Sequence, residues 1–147
     1  MATRPRLGFA VLMVPTLLVS MDMFVLHFAV PALSADLRPS PVELLWIVDF
    51  YGFLVAGSLI TMGTLGDRIG RRKLLLMGAA AFAGASVLAA FSVSPAMLIF
   101  ARALLGMVGA SLLPSTLALI RSLFDDERER AVAFGVWVAV FTSGGAI

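Results

Sequence analysis

Three charged residues stand inside stretches that are otherwise almost wholly apolar: Asp22, Asp49 and Arg102. A charged side chain in the middle of a membrane costs at least about 2.5 kcal/mol, so such residues usually face a cavity and handle ions or protons. Asp22 is near the middle of its apolar stretch, which favours a role as a proton carrier. Arg102 needs an acceptor at its depth, and both carboxylates are within reach of its side chain.

An interaction between Asp22 and Arg102 would let the protonation of Asp22 control contacts between helices. Two alternatives remain open at this point. In the first, Asp22 pairs permanently with a basic residue and only holds helices together. In the second, Arg102 extends its guanidinium towards the outer interface. His27 lies about 140° around a helix from Asp22, which disfavours a proton relay between these two side chains.

Asp49 has aromatic neighbours on its own helical face, with Trp46 three residues before it and Phe53 four residues after it. A carboxylate between aromatic side chains suits a lipophilic organic cation, through charge pairing and cation–π contact. We therefore interpret Asp49, Trp46 and Phe53 as substrate-binding residues. The alternative is that Trp46, together with Tyr51, belongs to the aromatic belt at the membrane interface.

The elements that must position these residues are membrane-spanning helices. Hydrophobic residues make up 61% of the 147-residue chain and the mean hydropathy is +1.03, whereas a soluble domain is about half apolar. The sequence therefore predicts an all-α polytopic membrane protein with one partial transmembrane domain. A cleaved signal peptide is disfavoured, because the first apolar stretch is too long and Asp22 interrupts it. A spanning helix needs about 20 apolar residues, and on that measure the predicted spans are 7–33, 44–65, 74–93, 97–119 and 131–147.

Small residues and a proline in these spans are expected to set helix packing and kinks. Ala80 and Gly84 form a small-xxx-small pair in the third span. The fifth span finishes at Ile147 without a flanking charge, so we expect the chain to be truncated there. The other predicted packing or kink positions are Gly106, Gly109 and Pro114 in the fourth span and Gly144 and Gly145 in the fifth.

The basic residues indicate a topology rather than nucleic-acid binding. The formal net charge is +2, yet nine of the eleven basic residues fall on one side of the predicted membrane. The positive-inside rule then places the N-terminus in the cytoplasm, for a protein of the plasma (inner) membrane. With no cysteine and one histidine, thiol sites and multi-histidine metal sites are excluded. The nine residues are Arg4, Arg6, Arg68, Arg71, Arg72, Lys73, Arg121, Arg128 and Arg130.

The connection after the second span carries an ordered pattern of glycine and charge. We expect its glycines to allow a tight reversal, Asp67 to accept from helix N-terminal amides and its basic residues to contact anionic headgroups. The segment 63–73 resembles the G-x-L-x-D-R-x-G-R-R/K motif found between the second and third helices of the major facilitator superfamily. The resemblance implies a cytoplasmic gate formed by Gly63, Asp67, Arg68, Gly70, Arg71 and Arg72.

The resemblance extends along nearly all of the chain. Residues 21–31 resemble the first-helix motif of the fourteen-helix drug:proton antiporters, although Phe24 replaces the usual threonine and His27 the usual asparagine. Residues 45–51 are similar to the second helix of quaternary-ammonium and dye exporters in that branch. Arg102, Gly106, Gly109 and Pro114 match a fourth-helix motif whose arginine is linked to proton coupling, and residues 141–145 resemble the start of a fifth-helix antiporter motif.

The resemblance implies proton-coupled efflux of lipophilic or cationic drugs, without enzyme activity, cofactor or metal. Asp22 and Arg102 would couple protons. The implied partners are the lipid bilayer, protons, lipophilic organic cations and the remaining helices of a full-length transporter. The family needs two halves, so we expect the chain to hold the first four to five transmembrane helices of the N-terminal half, as a fragment that is not active alone. Two alternatives stay open: a major facilitator carrier of another substrate class, and a non-transporting truncated protein that associates with a full-length relative.

Overall fold

Helices account for nearly all of the backbone in the computed structural model, which describes residues 3–146. The all-α polytopic prediction is confirmed. Helices α1 to α4 are each long and apolar enough to cross a membrane, and α5 has 17 residues. The helices are α1 (Thr3–Asp36), α2 (Pro41–Ile69), α3 (Arg71–Ala90), α4 (Pro95–Leu123) and α5 (Glu127–Ser143).

Short polar side chains begin the helices that follow turns. Ser40 forms a capping box with Glu43 before α2, in which each side chain bonds to the other residue's backbone N–H. Ser94 accepts from the backbone N–H of Met97 before α4. Proline follows both serines, where its fixed φ suits the first helical position and its missing N–H costs nothing. Because these caps begin α2 and α4, only a few residues connect α1 to α2 and α3 to α4.

A single residue separates α2 from α3. Gly70 has a φ of +97°, a backbone conformation that other residues rarely adopt. Its N–H donates to the carbonyl of Gly66 at 3.0 Å, which satisfies one carbonyl at the end of α2. The tight reversal expected from the glycines is therefore a one-residue break at Gly70.

Helix α4 lies at the centre and packs against each of the other four helices. It comes especially close to α3 at Gly78, where an added Cβ would be 3.2 Å from Leu112 Cδ2 and would clash with the Ser111 hydroxyl. The predicted pair of Ala80 and Gly84 does not make this contact, because both residues are on the exposed face of α3. Gly78, which permits the approach of α3, comes two residues before Ala80 and so lies about 200° around the helix from it.

The end of α5 lies against α1. The Ser20 hydroxyl donates to the Phe141 carbonyl, and Gly144 is buried against Ser20. An added Cβ on Gly145 would be 3.2 Å from the Phe24 ring. Both glycines follow α5 in a turn rather than lying inside the helix. The final residue of the predicted fifth span, Ile147, lies outside the described residues.

Candidate functional site

Asp22 and Arg102 form an ion pair between α1 and α4. The Arg102 Nη1 donates to the Asp22 Oδ2 at 2.9 Å. Arg102 is only 4% exposed, which does not fit the alternative that its side chain extends to the outer interface. Asp22 is therefore the acceptor that Arg102 uses, out of the two carboxylates that the sequence offers.

A second hydrogen bond connects Arg102 to α2. Its Nε donates to the Ile47 carbonyl at 3.3 Å. Most carbonyls inside a helix accept from the N–H groups of the same helix, so this bond to another helix is an additional one. One guanidinium therefore joins three helices: α4 carries it, α1 supplies a carboxylate and α2 supplies a carbonyl. Helix α4 positions this group because Gly106, one turn further on, lets the two backbones come close.

Tyr51, for which the sequence suggested only a place in the aromatic belt, is buried and contacts Arg102. The guanidinium carbon lies 4.4 Å from the centroid of the Tyr51 ring, within the range of a cation–π contact. Tyr51 follows Ile47 by four residues, so both are on one face of α2, and both are buried. The four-residue spacing from Ile47 is a signal in the sequence that could identify Tyr51, but it is useful only when the inward face of α2 is known.

Asp49 lies away from this ion pair. It follows Ile47 by two residues, about 200° around the helix, so its side chain is on the other face of α2. Asp49 is exposed, as are Trp46 at 47% and Phe53 at 68%. The structure thus keeps these three residues together on one exposed face and does not bring Asp49 to Arg102. Trp46 packs edge-on against Phe50, with the ring centroids 5.1 Å apart.

The charged motif at the α2–α3 break forms an ion pair of its own. The Arg71 Nη2 at the start of α3 donates to the Asp67 Oδ1 near the end of α2, at 2.7 Å. The expectation that Asp67 accepts from helix N-terminal amides is therefore wrong: Asp67 is still in the last turn of α2. The Arg71 side chain covers Gly66, where an added Cβ would be 2.9 Å from Arg71 Cδ.

The remaining motif residues lie around this ion pair without joining it. Arg68 and Arg72 are exposed at the same end of the helices. Gly63 is inside α2, with nothing within 4 Å of an added Cβ. In this motif, the backbone conformation favours glycine at position 70, and the packing of the Arg71 side chain favours glycine at position 66.

The family of this chain is identified by its sequence. Residues 12–147 match the family model of the Major Facilitator Superfamily. The chain belongs to this superfamily. Residues 3–146 contain four helices that are apolar enough to span a membrane, so the chain is a multi-pass membrane protein.

Several relatives in the superfamily are exporters or resistance proteins by name. The chain is 51% identical over 145 residues to the multidrug efflux pump LfrA of Mycolicibacterium smegmatis, covering 99% of this chain and 29% of the relative. It is 48% identical over 128 residues to the methyl viologen resistance protein SmvA of Salmonella typhimurium, covering 87% and 26%. It is 37% identical over 140 residues to the puromycin resistance protein pur8 of Streptomyces alboniger, covering 95% and 28%. The chain therefore spans less than a third of the length of these superfamily members.

Proposed function

We propose that this chain supplies the first helices of a proton-coupled exporter of lipophilic organic cations. The observation that carries the proposal is the ion pair of Asp22 with Arg102, buried between α1 and α4. An ionisable pair within a membrane protein usually marks an ion or proton pathway. The names of the relatives support export: one is a multidrug efflux pump and another confers resistance to methyl viologen, an organic dication.

Protonation of Asp22 is the step that would couple the proton to movement. A neutral carboxyl loses its charge attraction to Arg102, while Arg102 keeps its hydrogen bond to the Ile47 carbonyl. The contact that weakens is therefore the one between α1 and α4, and the contact that persists is the one between α4 and α2. A proton would in this way release α1 from the other two helices. The cycle involves no covalent change in the transported cation.

The exposed face of α2 would contribute to cation binding. Asp49 supplies a negative charge, and Trp46 and Phe53 supply aromatic surface on the same face. A lipophilic cation gains both charge pairing and cation–π contact there. Because this face is separate from the ion pair, the substrate and the proton would act on different faces of α2 and communicate through its movement.

The charged motif at Gly70 would act as the gate on the cytoplasmic side. Its basic residues lie at the end of the helices that also carries Arg4 and Arg6, and the positive-inside rule assigns that end to the cytoplasm. Asp67 and Arg71 would hold the end of α2 to the start of α3 while the helices move. Lipid headgroups would contact the exposed arginines.

A chimeric transporter tests the proposal directly. This chain would replace the matching segment of LfrA, to which it is 51% identical, and ethidium efflux from cells would be measured with and without a proton gradient. We expect gradient-dependent efflux that is lost in Asp22→Asn and weakened in Asp49→Asn. The matched control is Asp36→Asn, at the end of α1, with LfrA as the positive control. A chimera that reaches the membrane but exports no ethidium, or one in which Asp22→Asn still couples to the gradient, would overturn the proposal.

The chain alone answers a separate question. In liposomes with an imposed pH gradient, we expect the 147-residue chain to move no ethidium, because the family's binding site lies between two halves. Gradient-driven movement by the chain that disappears in Asp22→Asn would show that it assembles into a working carrier by itself.

A further inference from the structure

We infer that the Tyr51 ring is a positioning residue that holds the Arg102 guanidinium in place in both protonation states of Asp22. The inference rests on the proposed function only in treating Asp22 as a group that gains and loses a proton. It assigns a task to a residue outside the proposed proton pair, the proposed cation face and the charged motif. The evidence is the geometry around the ring.

The ring contact is direct and shielded from the surroundings. The guanidinium carbon is 4.4 Å from the ring centroid, and Tyr51 and Arg102 are each 4% exposed. A cation–π contact gains strength when the cation is removed from water. The face of the ring therefore offers Arg102 a favourable site that does not depend on the charge of Asp22.

The hydroxyl of Tyr51 does not explain the position of the ring. Within residues 3–146 the buried hydroxyl has no hydrogen-bond partner, and an unpaired buried donor is unfavourable. It lies beside Gly109, where an added Cβ would be 3.2 Å from the oxygen. A phenylalanine would keep the ring and remove the unpaired group, which provides a matched variant.

No other charged group in the described helices competes for Arg102 at this level. On α1 the ionisable neighbour of Asp22 is His27, which is exposed, and on α2 Asp49 faces the opposite side. The charged residues of α3 and α5 lie in the first turns of those helices, at the other end of the structure. The groups that face the guanidinium are therefore Asp22, the Ile47 carbonyl and the Tyr51 ring.

Loss of the ring changes the proton affinity of Asp22 in a defined direction. With the ring present, Arg102 keeps its position against α2, where it meets ionised Asp22, whether or not the carboxyl is charged. Without the ring, Arg102 is free to move away when Asp22 is neutral, which favours the protonated state. In the variant without the ring, the ionised state also requires the Arg102 side chain to become ordered. In the unchanged chain the ring already holds that side chain in place. Asp22 should therefore take up its proton at a higher pH.

The experiment is an infrared titration of the whole chain in lipid nanodiscs. The carboxyl band of protonated Asp22 is identified by its disappearance in Asp22→Asn, and its pH midpoint is compared between the unchanged chain, Tyr51→Phe and Tyr51→Leu. We expect Tyr51→Phe to keep the midpoint and Tyr51→Leu to raise it by about one pH unit, a tenfold change in proton affinity. An unchanged midpoint in Tyr51→Leu, or an equal shift in both variants, would overturn the inference.

A second series guards against misfolding of Tyr51→Leu. Phenylalanines with increasing fluorination at position 51 keep the shape of the ring while reducing the negative charge on its face. We expect the midpoint to rise stepwise with fluorination, and a flat series refutes the ring contact. Neither titration measures transport, so failure of the LfrA chimera and failure of this inference are separate results.

Discussion

Gly106 of α4 lies directly against the backbone of Tyr51 on α2: a Cβ at Gly106 would be 2.6 Å from the Tyr51 carbonyl oxygen and 3.1 Å from Leu54 Cβ. Backbone, unlike a flexible side chain, has little room to give way. This close approach brings the Ile47 carbonyl within hydrogen-bonding distance of Arg102, one turn before Gly106. The absence of one side chain on α4 thus sets the separation of two helices and the position of the guanidinium.

Gly106→Ala is expected to destabilise the protein. The added methyl group must push α2 and α4 apart, and such overpacking costs about 1–3 kcal/mol, more than the helix propensity that alanine gains. We expect a lower Tm in detergent, measured by fluorescence-detected gel filtration after heating. Gly84→Ala is the matched control, because nothing lies within 4 Å of an added Cβ there. Equal Tm values for the two variants would contradict the assignment of Gly106 to the α2–α4 contact.

A double-mutant cycle measures the ion pair of Asp22 with Arg102. Removing one partner leaves the other buried without a counter-charge, which costs about 3–5 kcal/mol when a pair is fully buried. We expect Asp22→Asn and Arg102→Gln each to lower stability strongly, and the double variant to be less destabilised than the sum of the two. The measurement is chemical unfolding in micelles.

Asp49→Asn is the control for this cycle. Asp49 is exposed on the other face of α2, so its substitution should leave the unfolding free energy within about 0.5 kcal/mol of the unchanged chain. If Asp22→Asn lowers the unfolding free energy as little as Asp49→Asn does, the charges of Asp22 and Arg102 do not stabilise one another.

Gly70→Ala is expected to disturb the break between α2 and α3. A φ of +97° is unfavourable for any residue with a Cβ, and such a conformation costs of the order of 1–3 kcal/mol. Gly63→Ala, inside α2 with open space around an added Cβ, should be neutral or slightly stabilising because alanine favours helix. Limited proteolysis at the α2–α3 break, together with Tm, distinguishes the two variants. Proteolysis at equal rates would show that position 70 tolerates a side chain.

Asp67→Asn should change stability very little. The Asp67 side chain is 70% exposed and that of Arg71 24% exposed, and exposed ion pairs of this kind contribute about 0–1 kcal/mol. We expect a Tm close to that of the unchanged chain, while efflux by the LfrA chimera falls if the motif acts as a gate. A large fall in Tm would instead make the Asp67–Arg71 contact a stability element.

The membrane helices were predictable because their signal is local. Apolar stretches of spanning length, the serine–proline starts of α2 and α4 and the glycine at position 70 are each read from neighbouring residues. Helix α5 was less well defined: it begins at Glu127 and ends at Ser143, whereas hydropathy favours 131–147. Charged residues in the first turn of a helix reduce hydropathy without preventing helix formation, so the hydropathy span starts later than the helix.

The face that each helix turns inward was harder to predict. In a soluble protein the polar side marks the exterior, but here both faces of a helix are apolar and the sequence pattern does not distinguish them. Gly78 rather than Gly84 therefore makes the α3–α4 contact, and Tyr51 contacts Arg102 from a face of α2 that hydropathy does not identify.

The sequence by itself determined that the chain is helical and membrane-spanning, and that Asp22, Asp49 and Arg102 lie in apolar stretches, because these properties depend on residue type and short-range order. Only the tertiary structure decided that Arg102 pairs with Asp22 and that Asp49 is on a separate face. The choice depends on the rotation of α2 about its axis and on its close approach to α4. Both are set by where side chains are small enough for helices to meet, and those contacts join residues about 55 positions apart in the chain.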